Sequence, residues 1–203
     1  MDFTAFVLLH LPPPPSRILE VGCGRGELAR ALDAAGYEVL AVDPRAPEGT
    51  IFRQLTLEEL DDPGPFDAAI AGRVLHHVHP LQPAIEKLAR LAPLLVLDEF
   101  AWERLDRPTQ EWYEGQLRML AERGFKPSGP PDLDHWREEH ADLHPSDAVR
   151  EAVGARFEER VLEWRAYLYR WLEGAPSEDA EQTLIAAGAI RALGYRAVYY
   201  RPG

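Results

Sequence analysis

Apolar positions along the chain fall into two rhythms. The first is a short, nearly unbroken run: Ile18–Val21, Glu38–Asp43, Thr50–Leu55, Phe66–Ala71 and Pro93–Glu99. Runs of this length, bounded by turn residues, predict strands buried on both faces. The second is helical spacing. Leu28, Ala31, Leu32 and Ala35 share one face, and Gly36 stops that helix. A short helix is predicted over residues 3–11, and the proline run Pro12–Pro15 is a stiff spacer into the first strand. A third helix opens at Pro83 and runs through Leu91, and Asp61, Asp62, Pro63 and Gly64 predict a turn.

Strands alternating with helices or turns predict a doubly wound, mostly parallel α/β sheet. Residues 100–145 interrupt the alternation with two helices, 108–123 and 132–143. This stretch leaves the carboxyl end of the fifth strand. It is read as a helical cap over a substrate site, with a stabilising hairpin as the alternative. A helix over 146–153, a strand over 159–171, a helix over 177–193 and a strand over 194–201 complete one domain spanning residues 1–203.

The first βα turn concentrates the chemistry. Glu20, Gly22, Gly24 and Gly26 spell E-x-G-x-G-x-G, and Glu27 occupies the place of the third glycine of a dinucleotide fingerprint. A glutamate two residues before the first glycine would repel a diphosphate and suit a cation. An acid at the tip of the second strand, Asp43, suits ribose hydroxyls, its alternative being a helix N-cap before Pro44. The exit of the fourth strand, Ala71-Gly-Arg-Val-Leu-His-His-Val78, adds another glycine at a strand end. Together and in this order, these features resemble class I S-adenosylmethionine-dependent methyltransferases. The resemblance is close over residues 20–60 and 66–99 and looser over 146–201.

The resemblance implies a Rossmann-like, seven-stranded sheet whose last strand runs antiparallel between the fifth and sixth. It also implies S-adenosylmethionine as cofactor, held by Glu20, Gly22, Cys23, Gly24, Gly26, Asp43, Pro44, Thr56, Leu57, Ala71, Gly72 and Arg73. Thr56 stands where the family commonly has an acid for the adenine amino group, and Glu58 is the nearby alternative. Arg73 is placed to cover the cofactor or pair with its carboxylate. The expected reaction is methyl transfer to an O, N or C nucleophile of a small-molecule acceptor. His76 is the candidate base beside the methyl group, with a plain surface role as its alternative. Of Asp98 and Glu99, which end the fifth strand, one is a candidate to border the site, as strand-end residues do in open α/β sheets, and the other to begin the insert.

Composition narrows the rest. A net charge of −12 over 203 residues argues against nucleic acid as a bulk partner. No run is long enough to span a membrane, and Phe3–Leu11 has no basic residue before it, as a signal peptide would. The single cysteine, Cys23, is read as a small filler and fits a reducing, cytoplasmic setting. His76 with His79 offers no evident third ligand, and His140-Ala-Asp-Leu-His144 lacks the glutamate of H-E-x-x-H and runs straight into Pro145, so no metal is expected; the latter pair is read as solvated or capping. Two rivals stand beside methyl transfer: a non-catalytic binder of S-adenosylmethionine or S-adenosylhomocysteine, and an NAD(P)-dependent oxidoreductase, which Glu27 disfavours.

Overall fold

The computed structural model describes residues 1–61, 64–173 and 176–202. Asp62 and Pro63 of the predicted turn lie outside the described residues. Seven strands form one sheet in the order β3-β2-β1-β4-β5-β7-β6: β1 Arg17–Val21, β2 Glu38–Val42, β3 Phe52–Arg53, β4 Ala68–Gly72, β5 Leu94–Phe100, β6 Glu158–Arg165 and β7 Gly194–Tyr200. β1 to β5 are parallel, with Val21 beside both Val42 and Ala71, and Gly72 beside Asp98. β7 runs against β5: Ala101 N–H bonds the Leu193 carbonyl at one end, and Arg201 N–H bonds the Pro93 carbonyl at the other. This is the predicted sheet.

The helices are α1 Phe3–His10, α2 Glu27–Ala34, α3 Leu81–Leu91, α4 Arg107–Glu122, α5 Leu133–Glu139, α6 Ser146–Gly154 and α7 Glu178–Ala186. Backbone contacts divide the chain into two compact units. The first holds Met1–Glu99, Asp147–Leu162 and Arg196–Gly203; the second holds Phe100–Ser146 and Glu163–Tyr195. The second unit thus takes in 163–195 as well as the stretch predicted as an insertion.

In the first unit, Phe6 and Val7 of α1, Ile18, Leu32, Ile70, Val96 and Val198 form one buried cluster. Burial of such side chains stabilises by about 1.5–3 kcal/mol each. In the second, Phe100, Tyr113, Leu133, Leu168, Leu172 and Leu193 are buried, with Trp102, Trp112, Trp136, Tyr167 and Trp171 packed against them. Phe100 and Tyr167 stack with centroids 4.0 Å apart. The aromatics are mostly packing, as large rings usually are.

Four elements are shorter than predicted, each for a local reason. β3 stops after two residues because Leu55 N–H turns back to the Arg53 carbonyl. β6 ends at Arg165 because the buried carboxylate of Glu181 takes the N–H groups of Tyr167, Leu168 and Tyr169, bending the chain into a single turn. α7 ends at Ala186, where left-handed Gly188 follows. α5 ends at Glu139, and the His140 ring caps it at the Trp136 carbonyl, 2.8 Å away.

Candidate functional site

The carboxyl tips of β1, β2 and β4 open onto a cleft of about 520 Å³ within the first unit. Its walls include Gly22, Asp43, Pro44, Thr56, Leu57 and Arg73, which the sequence placed there, and also Arg45, Glu58, Val74, His77 and His79. Another hollow, beside Arg17, Asp33 and Glu38, lies where β1 and β2 begin, away from these tips.

The turn after β1 needs its glycines. Gly22 is left-handed, with φ 75°, and a Cβ there would fall 2.7 Å from Val74 Cβ. Gly26, also at φ 75°, would set a Cβ 2.5 Å from the Phe52 ring. Both positions therefore exclude side chains on backbone and packing grounds together. Gly22 and Cys23 N–H groups bond the Val42 carbonyl, tying the turn to the end of β2. Gly24 N–H donates to Asp43 Oδ2 at 3.0 Å, and Arg45 N–H to Asp43 Oδ1 at 2.7 Å. Asp43 thus shapes the turn while lining the cleft, and each of its oxygens keeps a further lone pair.

Glu20 is 5% exposed and does not line the cleft. It accepts the Ala29 N–H at the start of α2, while its Oε2 has no hydrogen-bond partner. Burial pushes its carboxyl up to about 8; the Ala29 bond opposes this, and the charge of Asp43 adds to it. Cys23 is buried too, and its thiol is pushed up to about 12, by burial first and then by Glu20 and Asp43. It packs with Ala29, Ala41, Ala46 and Phe52 and stays inert.

Thr56 begins a reciprocal cap. Thr56 N–H donates to Glu59 Oε2 at 2.8 Å, and Glu59 N–H to Thr56 Oγ1 at 3.3 Å. Glu58 lies in the wall, with its carbonyl held by Lys87 Nζ.

At the β4 exit the two acids of β5 take charge. Ala71 is fully buried, and Gly72 lies 3.5 Å from the Phe3 ring at the position a Cβ would take. Arg73 then turns left-handed, φ 56°, a conformation costing a non-glycine residue about 1 kcal/mol. Its N–H bonds the Asp98 carbonyl at 2.6 Å, and its guanidinium, 43% exposed, stands 4.0 Å from Asp98 Oδ2. On its other side Asp98 accepts from buried Arg196, which also donates to the Met1 carbonyl.

His76 does not border the cleft, contrary to expectation. It is 3% exposed, and its Nδ1 lies 2.5 Å from Glu99 Oε2. The reason is one of helical turn: Leu75–His77 forms a single 3-10 turn that aims His76 inward and leaves His77 at the wall. Buried Cys23, Gly26 and Ala71 and half-buried Gly72 likewise stand outside the lining, as does Gly24, which is exposed. The residues missed were Arg45, Val74 and Arg196. Among the described residues, no group of three His, Cys, Asp or Glu could hold a metal, and no helix is long and apolar enough to cross a membrane.

A family model described as "Methyltransferase domain" matches residues 1–156. The chain belongs to the methyltransferase domain family. A stretch covering 36% of it is 35% identical to the ubiquinone biosynthesis O-methyltransferase of Rickettsia conorii, of which it spans only 30%. Among solved structures, an S-adenosylmethionine-dependent methyltransferase from Mesorhizobium loti gives a TM-score of 0.61 at 16% identity, covering 97% of this chain and 96% of that one. The magnesium protoporphyrin IX methyltransferase of Synechocystis PCC 6803, solved with S-adenosylhomocysteine, gives 0.57 at 19% identity, covering 98% of this chain and 80% of that one. At such identities the likeness is one of fold: the sheet is the class I, Rossmann-like sheet of S-adenosylmethionine-dependent methyltransferases.

Proposed function

We propose that this methyltransferase holds S-adenosylmethionine in the cleft at the tips of β1, β2 and β4 and passes its methyl group to a nucleophile of a small molecule. The observation that carries the reading is the joining of Asp43, the glycine turn and Arg73 around one cleft. The residues fit the cofactor. Asp43 is fixed by two backbone donors and has lone pairs left for ribose hydroxyls. A Cβ at Gly24 would meet nothing within 4 Å, which leaves the turn open to a ligand. Arg73 offers a guanidinium for a carboxylate. Leu57 and Val74 would give the adenine apolar walls, and Glu58 in the same lining would be the acid for its amino group.

Bound there, the cofactor supplies a methyl group on a sulfonium; the acceptor's lone pair forms the new bond to carbon as the carbon–sulfur bond breaks and the thioether leaves. The protein's share is positioning and exclusion of water. Where the acceptor loses a proton, the cleft-lining His77 or His79 replaces His76 as the group to take it.

Calorimetric titration with S-adenosylhomocysteine, NAD and NADP tests the reading. Saturable binding of the first alone is expected; binding of a nicotinamide cofactor without response to S-adenosylhomocysteine overturns it. Burial of His76 favours one second reading, a cofactor binder without turnover. Release of S-adenosylhomocysteine on incubation with a metabolite library decides against that reading.

A further inference from the structure

The β4–β5 ladder ends where Gly72 faces Asp98 and Arg73 N–H reaches the Asp98 carbonyl. Beyond that point the chain leaves the sheet, and the next N–H groups lose their strand partner. Glu99 supplies it from a side chain. Its Oε1 accepts Val74 N–H at 3.0 Å and Leu75 N–H at 2.7 Å, and its Oε2 meets His76 Nδ1 at 2.5 Å. Three consecutive residues thus converge on one carboxylate that is 1% exposed. The first of them, Val74, is a wall of the cleft and packs against Gly22, and the residue before them is the left-handed Arg73.

We propose that Glu99 is a positioning residue for the cofactor cleft: it substitutes for the missing strand partner, holds the strained bend at Arg73, and so sets the wall from Arg73 to His79. Hydrogen bonds to a charged acceptor are stronger than neutral ones, and two of them suffice to hold a left-handed residue in place. With Glu99 ionised, His76 carries its proton on Nδ1 and serves as the third prong of the clamp. The inference rests on the cofactor reading for its functional consequence, though not for its geometry.

The test uses the full chain with Glu99→Leu and Glu99→Gln. In Glu99→Gln, Oε1 keeps both backbone donors while Nε2 faces His76 Nδ1. The ring must then accept at Nδ1, and its proton moves to Nε2. The expected results are an S-adenosylhomocysteine affinity at least ten-fold weaker in Glu99→Leu, and an affinity within three-fold of wild type in Glu99→Gln. The ¹⁵N signals of His76 should report the tautomer switch, and the Val74 and Leu75 amides should exchange slowly in wild type and Glu99→Gln. A folded Glu99→Leu that binds within two-fold of wild type overturns the proposal. If Glu99→Leu does not fold, Glu99→Gln decides: an unchanged His76 ring, or fast exchange at Val74 and Leu75, overturns it. Wild-type protein that binds no S-adenosylhomocysteine sinks the cofactor reading instead, and ring and amide signals still judge the clamp.

Discussion

Two bends meet beside the cleft, and they solve one problem in opposite ways. The bend after β1 leaves the sheet through glycines, where the left-handed backbone carries little strain. The bend after β4 leaves it through Arg73, where the same backbone is strained and side chains from β5 must hold it. Glycine gives shape without function; arginine at a left-handed position keeps a cation at the cleft and needs external support. The bends meet where Gly22 lacks the Cβ that would strike Val74.

That comparison can be broken most severely at the meeting point. Gly22→Ala combines a left-handed alanine with a contact to Val74, costing about 2–4 kcal/mol. Thermal melts should fall by roughly 5–15 °C, and S-adenosylhomocysteine formation should fall by about 100-fold. A melt within 2 °C of wild type, roughly the shift that 1 kcal/mol gives, would mean that the two bends are not packed as described.

Glu20→Gln acts behind the first bend and in the opposite direction. Glu20 holds its proton up to about 8, whereas the unfolded chain releases it near 4.5, the ordinary value of a glutamate. Over that window the unfolded state binds fewer protons, so stability falls as pH rises. The neutral variant escapes the loss. It should melt roughly 5 °C or more above wild type at pH 8, and the gap should close near the lower limit of the window. An equal gap at both ends would remove the buried carboxyl from the account.

Arg73→Gly turns the second bend into the first kind. Relief of strain offsets the added freedom of the unfolded chain, so melts should agree within about 2 °C. Titration should show S-adenosylhomocysteine bound roughly ten-fold more weakly, the loss of one charged hydrogen bond. Unchanged affinity would show that the guanidinium does not touch the cofactor. Among the glycine variants the smallest effect belongs to Gly24→Ala, whose Cβ meets nothing within 4 Å. For stability only the left-handed backbone counts there, about 1 kcal/mol or a fall of about 2–4 °C.

Much of the first bend was legible in the sequence because its causes are local. Glycine at alternate positions after an apolar run, with Glu20 just before and an acid ending the next run, lies within a short span of chain. The β4 bend was not, because its support comes from far along the chain. Nothing near His76 reveals that it faces Glu99, 23 residues on, and Arg196 lies 98 residues from Asp98. Helical phase decided between neighbouring histidines, and a single 3-10 turn sent the predicted one inward. Some signals were present and passed over. Thr56-Leu-Glu-Glu59 spells a capping box, which explains why Thr56 spends its groups on its own turn. Gly188 marked the end of α7 inside a run that kept helical spacing.

The buried thiol behind the glycine turn has a practical corollary. Cys23 is the only cysteine, and its proton is held up to about 12. Maleimides and iodoacetamides require the thiolate and should leave the native protein unmodified at neutral pH. A cysteine introduced at exposed His77 or His79 would then be the sole alkylation target, and a fluorophore attached there would report ligand entry without any background label.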